Sequence, residues 1–263
     1  MTQQEMNILV PKKLKELERE NNIKVLYAAE SGSRAWGFAS PDSDFDVRFI
    51  YVHPTDFYLK LEKQRDVIEM PIDDTWDVSG WDLQKALRLL HGSNPSLFEW
   101  AASPLVYHSA DIWEKQIAPV MNEYFQPQKS IHHYLSMAAR TVKENLSGET
   151  IKAKKYFYIL RTILAAKWVI AYSCPPPMLF EELVDDQLEA ELKPLVCELI
   201  QKKRESPELG HIPRISVLDD YIYSELVLLN DASKMFTRES NKPWETLDKL
   251  FADILARGLF SGL

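Results

Sequence analysis

Two aspartates placed two positions apart are the residues of this sequence best suited to bind a metal ion. Asp44 and Asp46 lie at the start of the apolar run FDVRFIYV, which has the composition of a β-strand. Alternate side chains of a strand point to the same face of a sheet, so both carboxylates are expected to project together. Carboxylate oxygens are the ligands that hard divalent cations prefer. The spacing therefore predicts a site for Mg²⁺ or Mn²⁺.

A Gly-Ser pair precedes these aspartates and follows another apolar run, IKVLYAAE. Gly32 allows the backbone to approach a phosphate closely, and the Ser33 hydroxyl can donate a hydrogen bond to it. A short helix that starts near Ser33 would add free backbone N–H groups. Gly-Ser turns and Asp-rich loops are common in proteins without any such role. The whole set in a strand–loop–strand context nevertheless favours phosphoryl or nucleotidyl transfer, which requires cations and an aligned attacking oxygen.

Composition narrows the class of protein. The chain has 263 residues with a net charge of −8, which argues against a general nucleic-acid coat but is compatible with a nucleotide or an RNA end at a local basic site. No apolar run is long enough for a transmembrane helix, and the N-terminus lacks the pattern of a signal peptide. We therefore expect a cytoplasmic protein without a membrane partner, in which Cys174 and Cys197 are reduced thiols.

The first 110 residues mix strand and helix patterns. A helix is predicted within residues 5–21, with Pro11 favouring a start near that position. A second helix follows Asp82, whose side chain is placed to cap it. The runs with strand composition are 23–30, 45–52, 66–70 and 75–79.

Helical periodicity dominates the rest of the sequence. The predicted helices are 111–124, 130–147, 151–172, 179–204, 216–234 and 243–257. The chain is therefore predicted to be an α+β protein, with a mixed domain of strands and helices at 1–110 and an all-α domain at 111–263. A cleft between two such domains is a natural place for a site.

Three segments resemble a known group of enzymes. These segments are GSRAWGFASPDSDFDVRFIYV, DVSGWDLQKALRLLHGSNPSLFEW and KKYFYILR. They are similar to the DNA polymerase β-like nucleotidyltransferase superfamily, and within it to the RNA repair pathway DNA polymerase β family, also called the YcgL type. The resemblance covers residues 30 to about 180. It implies a small mixed β-sheet followed by a helical domain that closes the cleft.

The resemblance also implies an activity. Enzymes of this kind use Mg²⁺ or Mn²⁺ to move a nucleotide from an NTP, such as ATP, to a hydroxyl acceptor. Gly32-Ser33 would hold the triphosphate, and Asp44 and Asp46 would bind two metal ions. The acceptor implied by the family is an RNA end in RNA repair. The alternatives are a protein AMP transferase with the same site and a nucleotide-binding regulatory module without turnover.

The resemblance requires a third carboxylate on a later strand. Asp77 is the first choice, because Trp76 and Val78 on either side of it can face the core. The other candidates are Asp74, Asp82, which is better explained as a helix N-cap, and Glu69.

Cationic residues near the motif are candidates for phosphate contact. Arg34 and Arg48 can meet phosphate, although Arg48 can equally pair with Asp42 or Asp44.

A later helix carries a polar face of its own. Lys154, Tyr158 and Arg161 lie three or four positions apart and share that face. The tyrosine can stack on a base while the cations meet phosphates. The alternative is a solvated stripe on an amphipathic helix.

Overall fold

The structure, a computed structural model, describes residues 2–70, 76–205, 210–237 and 242–260. The chain divides into two units. The first comprises Met1–Gly32, Asp44–Tyr124 and Asn241–Leu263, and the second comprises Ser33–Ser43 and Phe125–Ser240. The predicted boundary near residue 110 stays a prediction.

The strands of the first unit are β1 Lys24–Glu30, β2 Phe45–Val52, β3 Val67–Glu69, β4 Trp76–Asp82 and β5 Val106–Ser109. They form one sheet in the order β3-β4-β2-β1-β5. β2 and β4 run parallel, and the other pairs are antiparallel. The mixed sheet confirms the predicted α+β class. β5 was not predicted, because it is a short edge strand whose alternate residues are exposed.

The helices are α1 Gln3–Asn21, α2 Gly32–Ala35, α3 Thr55–Tyr58, α4 Leu83–His91, α5 Pro95–Ala101, α6 Ala118–Met121, α7 Pro127–Asn145, α8 Ala153–Tyr172, α9 Phe180–Gln187, α10 Lys193–Glu205, α11 Ser216–Ser233 and α12 Glu245–Leu255. A π-helical turn, Trp113–Ile117, precedes α6, and a 3₁₀ turn, Asn122–Tyr124, follows it.

The helix α1 contains Pro11 in its interior, so the predicted start near that proline is wrong. The helix begins earlier because Thr2 and Glu5 form a capping box. The Thr2 hydroxyl accepts a hydrogen bond from Glu5 N at 3.3 Å, and the Glu5 carboxylate accepts one from Thr2 N at 2.7 Å. Such a cap offsets part of the stability that an interior proline removes.

The strand β2 separates a core face from a polar face. Its buried residues Phe45, Val47 and Phe49 pack with the apolar side of α1 in one cluster. Asp46 and Arg48 alternate with them and are half-buried on the opposite face. Because each buried large apolar side chain contributes about 2 kcal/mol, this packing fixes which face the polar residues present.

The second unit is helical, with a small added sheet. The apolar faces of α7, α8 and α11 meet in its core. The predicted helix 179–204 is two helices, because the chain leaves α9 at Leu188 in an extended conformation and buries that side chain and Leu192. The two-stranded sheet pairs β6 Thr150–Lys152 with β7 His211–Pro213 and was not predicted.

Two observations concern the expected membrane contact and the expected state of the cysteines. None of the helices within the described residues has the length and apolar character required to cross a membrane. Cys174 and Cys197 are both free thiols.

Candidate active site

The parallel pairing of β2 with β4 brings two of the predicted carboxylates together. Asp46 and Asp77 are register partners on these neighbouring strands, so their side chains project from the same face. One guanidinium nitrogen, Arg48 Nη2, lies 3.1 Å from Asp46 Oδ1 and 2.6 Å from Asp77 Oδ2. The three side chains form a partly exposed cluster of two negative charges and one positive charge.

The placement of Arg48 differs from the pairing that the sequence suggested. Its ion pairs are with Asp46 and Asp77, not with Asp42 or Asp44. Its Nη1 also donates to the Asp77 carbonyl oxygen at 2.8 Å. The reason is that residues two apart on β2 share a face, and the parallel register places Asp77 opposite Asp46.

The surroundings of Asp46 disfavour the ionised form of its carboxyl group. Burial raises the pKa of Asp46, Arg48 acts in the opposite direction, and the charges of Asp77 and Asp44 raise the pKa further. Asp44 itself precedes β2 and is exposed. This crowding of negative charge favours binding of a cation.

A divalent metal fits this donor set in chemical type. Asp46 and Asp77 offer hard oxygen ligands to a common point, and Asp44 adds a third negative charge nearby. In the part of the chain that the structure describes, no group of three His, Cys, Asp or Glu side chains is arranged to hold a metal ion as it stands. The positive charge at the Asp46–Asp77 pair is that of Arg48.

Gly32 lies directly against the Asp46 carboxylate. Its φ is +60°, and a Cβ atom built on it would come within 2.0 Å of Asp46 Oδ2. The backbone holds the two segments together at the same point, because Ser31 N donates a hydrogen bond to the Asp46 carbonyl oxygen at 2.8 Å. The glycine was predicted to admit a phosphate. That contact stays a prediction, whereas the structure shows that the missing side chain leaves room for Asp46 and that a short helix, α2, begins at this residue.

Replacing Gly32 by alanine is expected to displace Asp46 as well as strain the backbone. A left-handed conformation costs a non-glycine residue about 1–2 kcal/mol, and the new methyl group would force the Asp46 carboxylate to move. Gly37 is a matched control, since its φ is +84° and its nearest potential clash is with Leu179 Cδ2 at 3.2 Å. We expect both alanine variants to lose stability in urea unfolding and only Gly32→Ala to lose binding of Mn²⁺ with NTP. Equal binding by the two variants would contradict this role of Gly32.

Asp77 lies on β4, opposite Asp46, and its assignment as the third carboxylate stays a prediction. Val78 is buried in the core cluster and Trp76 packs against it, which confirms the predicted facing of the strand. Glu69 is exposed and pairs with Arg65 at 2.6 Å. The alternative Asp74 lies outside the described residues.

Asp82 caps α4, as predicted. Its Oδ1 accepts a hydrogen bond from Gln84 N at 2.8 Å, and its Oδ2 accepts one from the Tyr58 hydroxyl at 2.8 Å. The side chain is 2% exposed. Burial raises the pKa of Asp82 to about 6, and the hydrogen bonds from Tyr58 and Gln84 counteract part of that rise.

The raised pKa of Asp82 predicts a pH-dependent stability. A carboxyl that binds its proton more tightly in the folded state stabilises the fold below its unfolded pKa of 3.8, and this stability is lost as the pH rises through about 6. The rise from 3.8 to about 6 corresponds to about 3 kcal/mol. Asp82→Asn keeps the cap and cannot titrate. Urea unfolding from about pH 3 to pH 7 should show the parent losing about that much free energy of unfolding relative to Asp82→Asn; parallel pH profiles would contradict the assignment.

The loop after Gly32 belongs to the second unit. Arg34 Nη2 donates to the Ser43 carbonyl oxygen at 2.5 Å, which ties the two ends of the loop together. The Ser33 carbonyl oxygen accepts a hydrogen bond from Phe38 N at 3.1 Å. Phe38 is 1% exposed and packs in the helical core. The loop is therefore packed into the core of that unit.

The polar face predicted on α8 is mostly used for packing. Arg161 is 3% exposed, with its guanidinium 4.4 Å from the centre of the Trp36 ring. Tyr158 is half-buried and meets the same ring edge-on at 5.6 Å. Lys154 is half-buried. Contact of Lys154, Tyr158 or Arg161 with a nucleotide stays a prediction.

One residue of this region was missed in the sequence. Glu30, the last residue of β1, is 0% exposed, and its Oε1 accepts a hydrogen bond from Asp46 N at 2.7 Å. The available signal was an acidic residue that ends an apolar strand one residue before the Gly-Ser turn. A charge in that position is buried only where donors meet it.

A mixed sheet with a Gly-Ser turn and strand-borne carboxylates is the arrangement that the resemblance to polymerase β-like nucleotidyltransferases implies. Comparison with known families gives the particular group. The family model for the RNA repair pathway DNA polymerase beta family matches residues 6–253. The chain belongs to that family.

Two known proteins illustrate the relationship. The uncharacterized protein YcgL of Bacillus subtilis (strain 168) is 44% identical over 238 residues, which span 90% of this chain and 92% of YcgL. The crystal structure of a nucleotidyltransferase-like protein from Exiguobacterium sibiricum 255-15 covers 95% of this chain and 89% of its own, with 14% identity and a TM-score of 0.33.

Proposed function

We propose that the protein is a metal-dependent nucleotidyltransferase that moves an NMP from an NTP to a hydroxyl acceptor. The observation that carries the proposal is the pairing of Asp46 with Asp77 on neighbouring parallel strands, with Gly32 directly against Asp46. Membership of a polymerase β family supports the same reaction class.

The residues of the candidate site divide into two roles. Asp44, Asp46 and Asp77 would hold Mg²⁺ or Mn²⁺, which when bound supplies positive charge to the phosphate oxygens. The Gly32-Ser33 turn would bind the phosphates through its backbone N–H groups and the serine hydroxyl. Arg48, whose guanidinium pairs with both Asp46 and Asp77, would hold these carboxylates in place and donate to phosphate from the same position.

The proposed reaction is an in-line displacement at the α-phosphorus. The acceptor hydroxyl oxygen forms a bond to the α-phosphorus as the bond to the bridging oxygen of the β-phosphate breaks, and pyrophosphate leaves. Asp77 would take the proton of the acceptor hydroxyl. Its 35% exposed side chain is accessible to a substrate while Arg48 fixes its orientation.

The acceptor proposed here is an RNA end, on the strength of the family description. The net charge of −8 is compatible with an enzyme that binds a terminus rather than a long stretch of nucleic acid. ATP is included among the candidate NTPs. Arg34 and Arg161 hold the loop after Gly32, and contact of either side chain with phosphate stays a prediction.

The proposal is tested by incubating the protein with each of the four α-labelled NTPs, Mg²⁺ and a mixture of total RNA and total protein. Label in the RNA fraction that is absent with Asp46→Asn would support the proposal. Label in the protein fraction would replace RNA with a protein acceptor. Binding of NTP without transfer to either fraction would indicate a nucleotide-binding module and contradict the enzyme.

A further inference from the structure

Glu30 is a carboxylate that the fold buries completely where β1 ends. Its Oε1 accepts a hydrogen bond from Asp46 N at 2.7 Å, and its Oε2 accepts one from the Tyr107 hydroxyl. A buried carboxylate is strongly destabilising unless donors meet its oxygens. These two donors therefore stabilise the buried carboxylate and fix the orientation of the side chain.

The hydrogen bond to Asp46 takes the place of a backbone pairing. Ser31 N donates to the Asp46 carbonyl oxygen at 2.8 Å, which is one half of an antiparallel pair. In a regular ladder the two residues exchange both bonds. Here the chain turns at Gly32 with a φ of +60°, and the N–H of Asp46 donates to the Glu30 carboxylate. The peptide groups on both sides of the Asp46 Cα are thus held.

Two hydrogen bonds with the segment that precedes β5 hold the backbone of Glu30 in place. Its carbonyl oxygen accepts a hydrogen bond from Ser103 Oγ at 2.6 Å, and its N–H donates to the Leu105 carbonyl oxygen at 2.8 Å. Tyr107, which donates to the carboxylate, accepts in turn from Gln3 Nε2 of α1 at 3.2 Å. The result is a continuous hydrogen-bonded network from α1 through β5 and β1 to the start of β2.

We infer that Glu30 is a positioning residue that sets the backbone of Asp46 and, through it, the direction of the Asp46 carboxylate. The inference rests on the proposed function, in which Asp46 holds the metal. A hydrogen bond from a backbone N–H to a carboxylate is about twice as strong as one between neutral groups. Residues that orient metal ligands typically contribute about 10- to 100-fold to metal affinity.

Three variants separate this role from a general contribution to the core. Glu30→Leu fills the space without an acceptor, whereas Glu30→Gln keeps an oxygen for Asp46 N. Tyr107→Phe removes only the second donor to the carboxylate. Binding of Mn²⁺ with an equimolar mixture of the four α,β-methylene NTP analogues is measured by calorimetry, and hydrogen exchange of the Asp46 amide is measured in the same proteins without ligand.

The three variants are expected to affect Mn²⁺ binding to different extents. Glu30→Leu should speed exchange at the Asp46 amide and weaken Mn²⁺ binding by about tenfold or more. Glu30→Gln should exchange and bind as the parent does. Tyr107→Phe should weaken Mn²⁺ binding by about threefold. Asp219→Leu is a matched control, since Asp219 is a buried carboxylate of the second unit that also accepts from a tyrosine hydroxyl, Tyr156, at 2.8 Å. It should lose stability and keep Mn²⁺ binding.

The contradicting outcomes are distinct. A parent protein that does not bind Mn²⁺ with the analogues would contradict the proposed function, and the inference with it. A parent that binds, with Glu30→Leu binding equally well despite faster exchange at Asp46, would overturn the inference alone. If Glu30→Leu does not fold, a Tyr107→Phe protein with unchanged exchange and unchanged binding overturns it.

Discussion

Replacing Asp46 by asparagine is expected to abolish the NTP-dependent binding of Mn²⁺ while leaving the fold intact. Asparagine keeps the shape of the side chain and an oxygen for Arg48, but it removes the negative charge. Burial and the nearby charges of Asp77 and Asp44 already raise the pKa of this carboxyl, so loss of its charge relieves repulsion and should not destabilise the sheet. Calorimetric titration with Mn²⁺ and NTP measures the binding, and thermal unfolding measures the fold.

Asp42→Asn is the control for this experiment, because Asp42 is an exposed aspartate of the preceding loop. It should bind Mn²⁺ with NTP as the parent does. The stronger test is the double variant of Asp44 and Asp46, in which both residues become asparagine. Normal Mn²⁺ binding by that protein would show that these aspartates do not form the metal site.

The second large effect is expected at Asp77. Asp77→Asn should lower the rate of nucleotide transfer by about a hundredfold or more, the range for loss of a general base, while NTP affinity falls little. The charge of Asp77 acts chiefly as the acceptor hydroxyl loses its proton, and interactions felt mainly in the transition state lower turnover more than binding. Single-turnover transfer and equilibrium NTP binding separate the two quantities.

Asp82→Asn and Asp74→Asn are made in parallel with Asp77→Asn. Asp82→Asn should keep full activity, because asparagine caps a helix about as well as aspartate and Asp82 is bound to Tyr58 and Gln84. Full activity of Asp77→Asn together with loss of activity in either control would move the third carboxylate to that position. Retained activity in all three variants would show that none of Asp74, Asp77 and Asp82 is the third carboxylate.

The local pattern of the sequence was enough to predict the centre of the sheet. The run of residues 45–52 coincides with β2, and its alternation correctly separated Asp46 and Arg48 from the core face. The facing of Asp77 also followed from its neighbours Trp76 and Val78. These features depend on side chains within one strand, which is the information that periodicity contains.

The contacts that join strands could not be predicted in the same way. That Arg48 binds Asp46 and Asp77 depends on the parallel register of β2 with β4, and no single strand encodes its register. The Glu30 contact with Tyr107 depends on β5, an edge strand with exposed alternate residues. The helix 179–204 was predicted as one because the turn after α9 contains neither glycine nor proline.

Comparison of α-labelled with γ-labelled NTP tests the central claim most directly. The protein is incubated with Mg²⁺, total RNA and either form of the NTP that it binds, with Asp46→Asn as the inactive control. Nucleotidyl transfer predicts acceptor label from the α position only, with the γ label released in pyrophosphate. Acceptor label from the γ position, or equal α labelling by Asp46→Asn, would contradict attack at the α-phosphorus in a site built on Asp46.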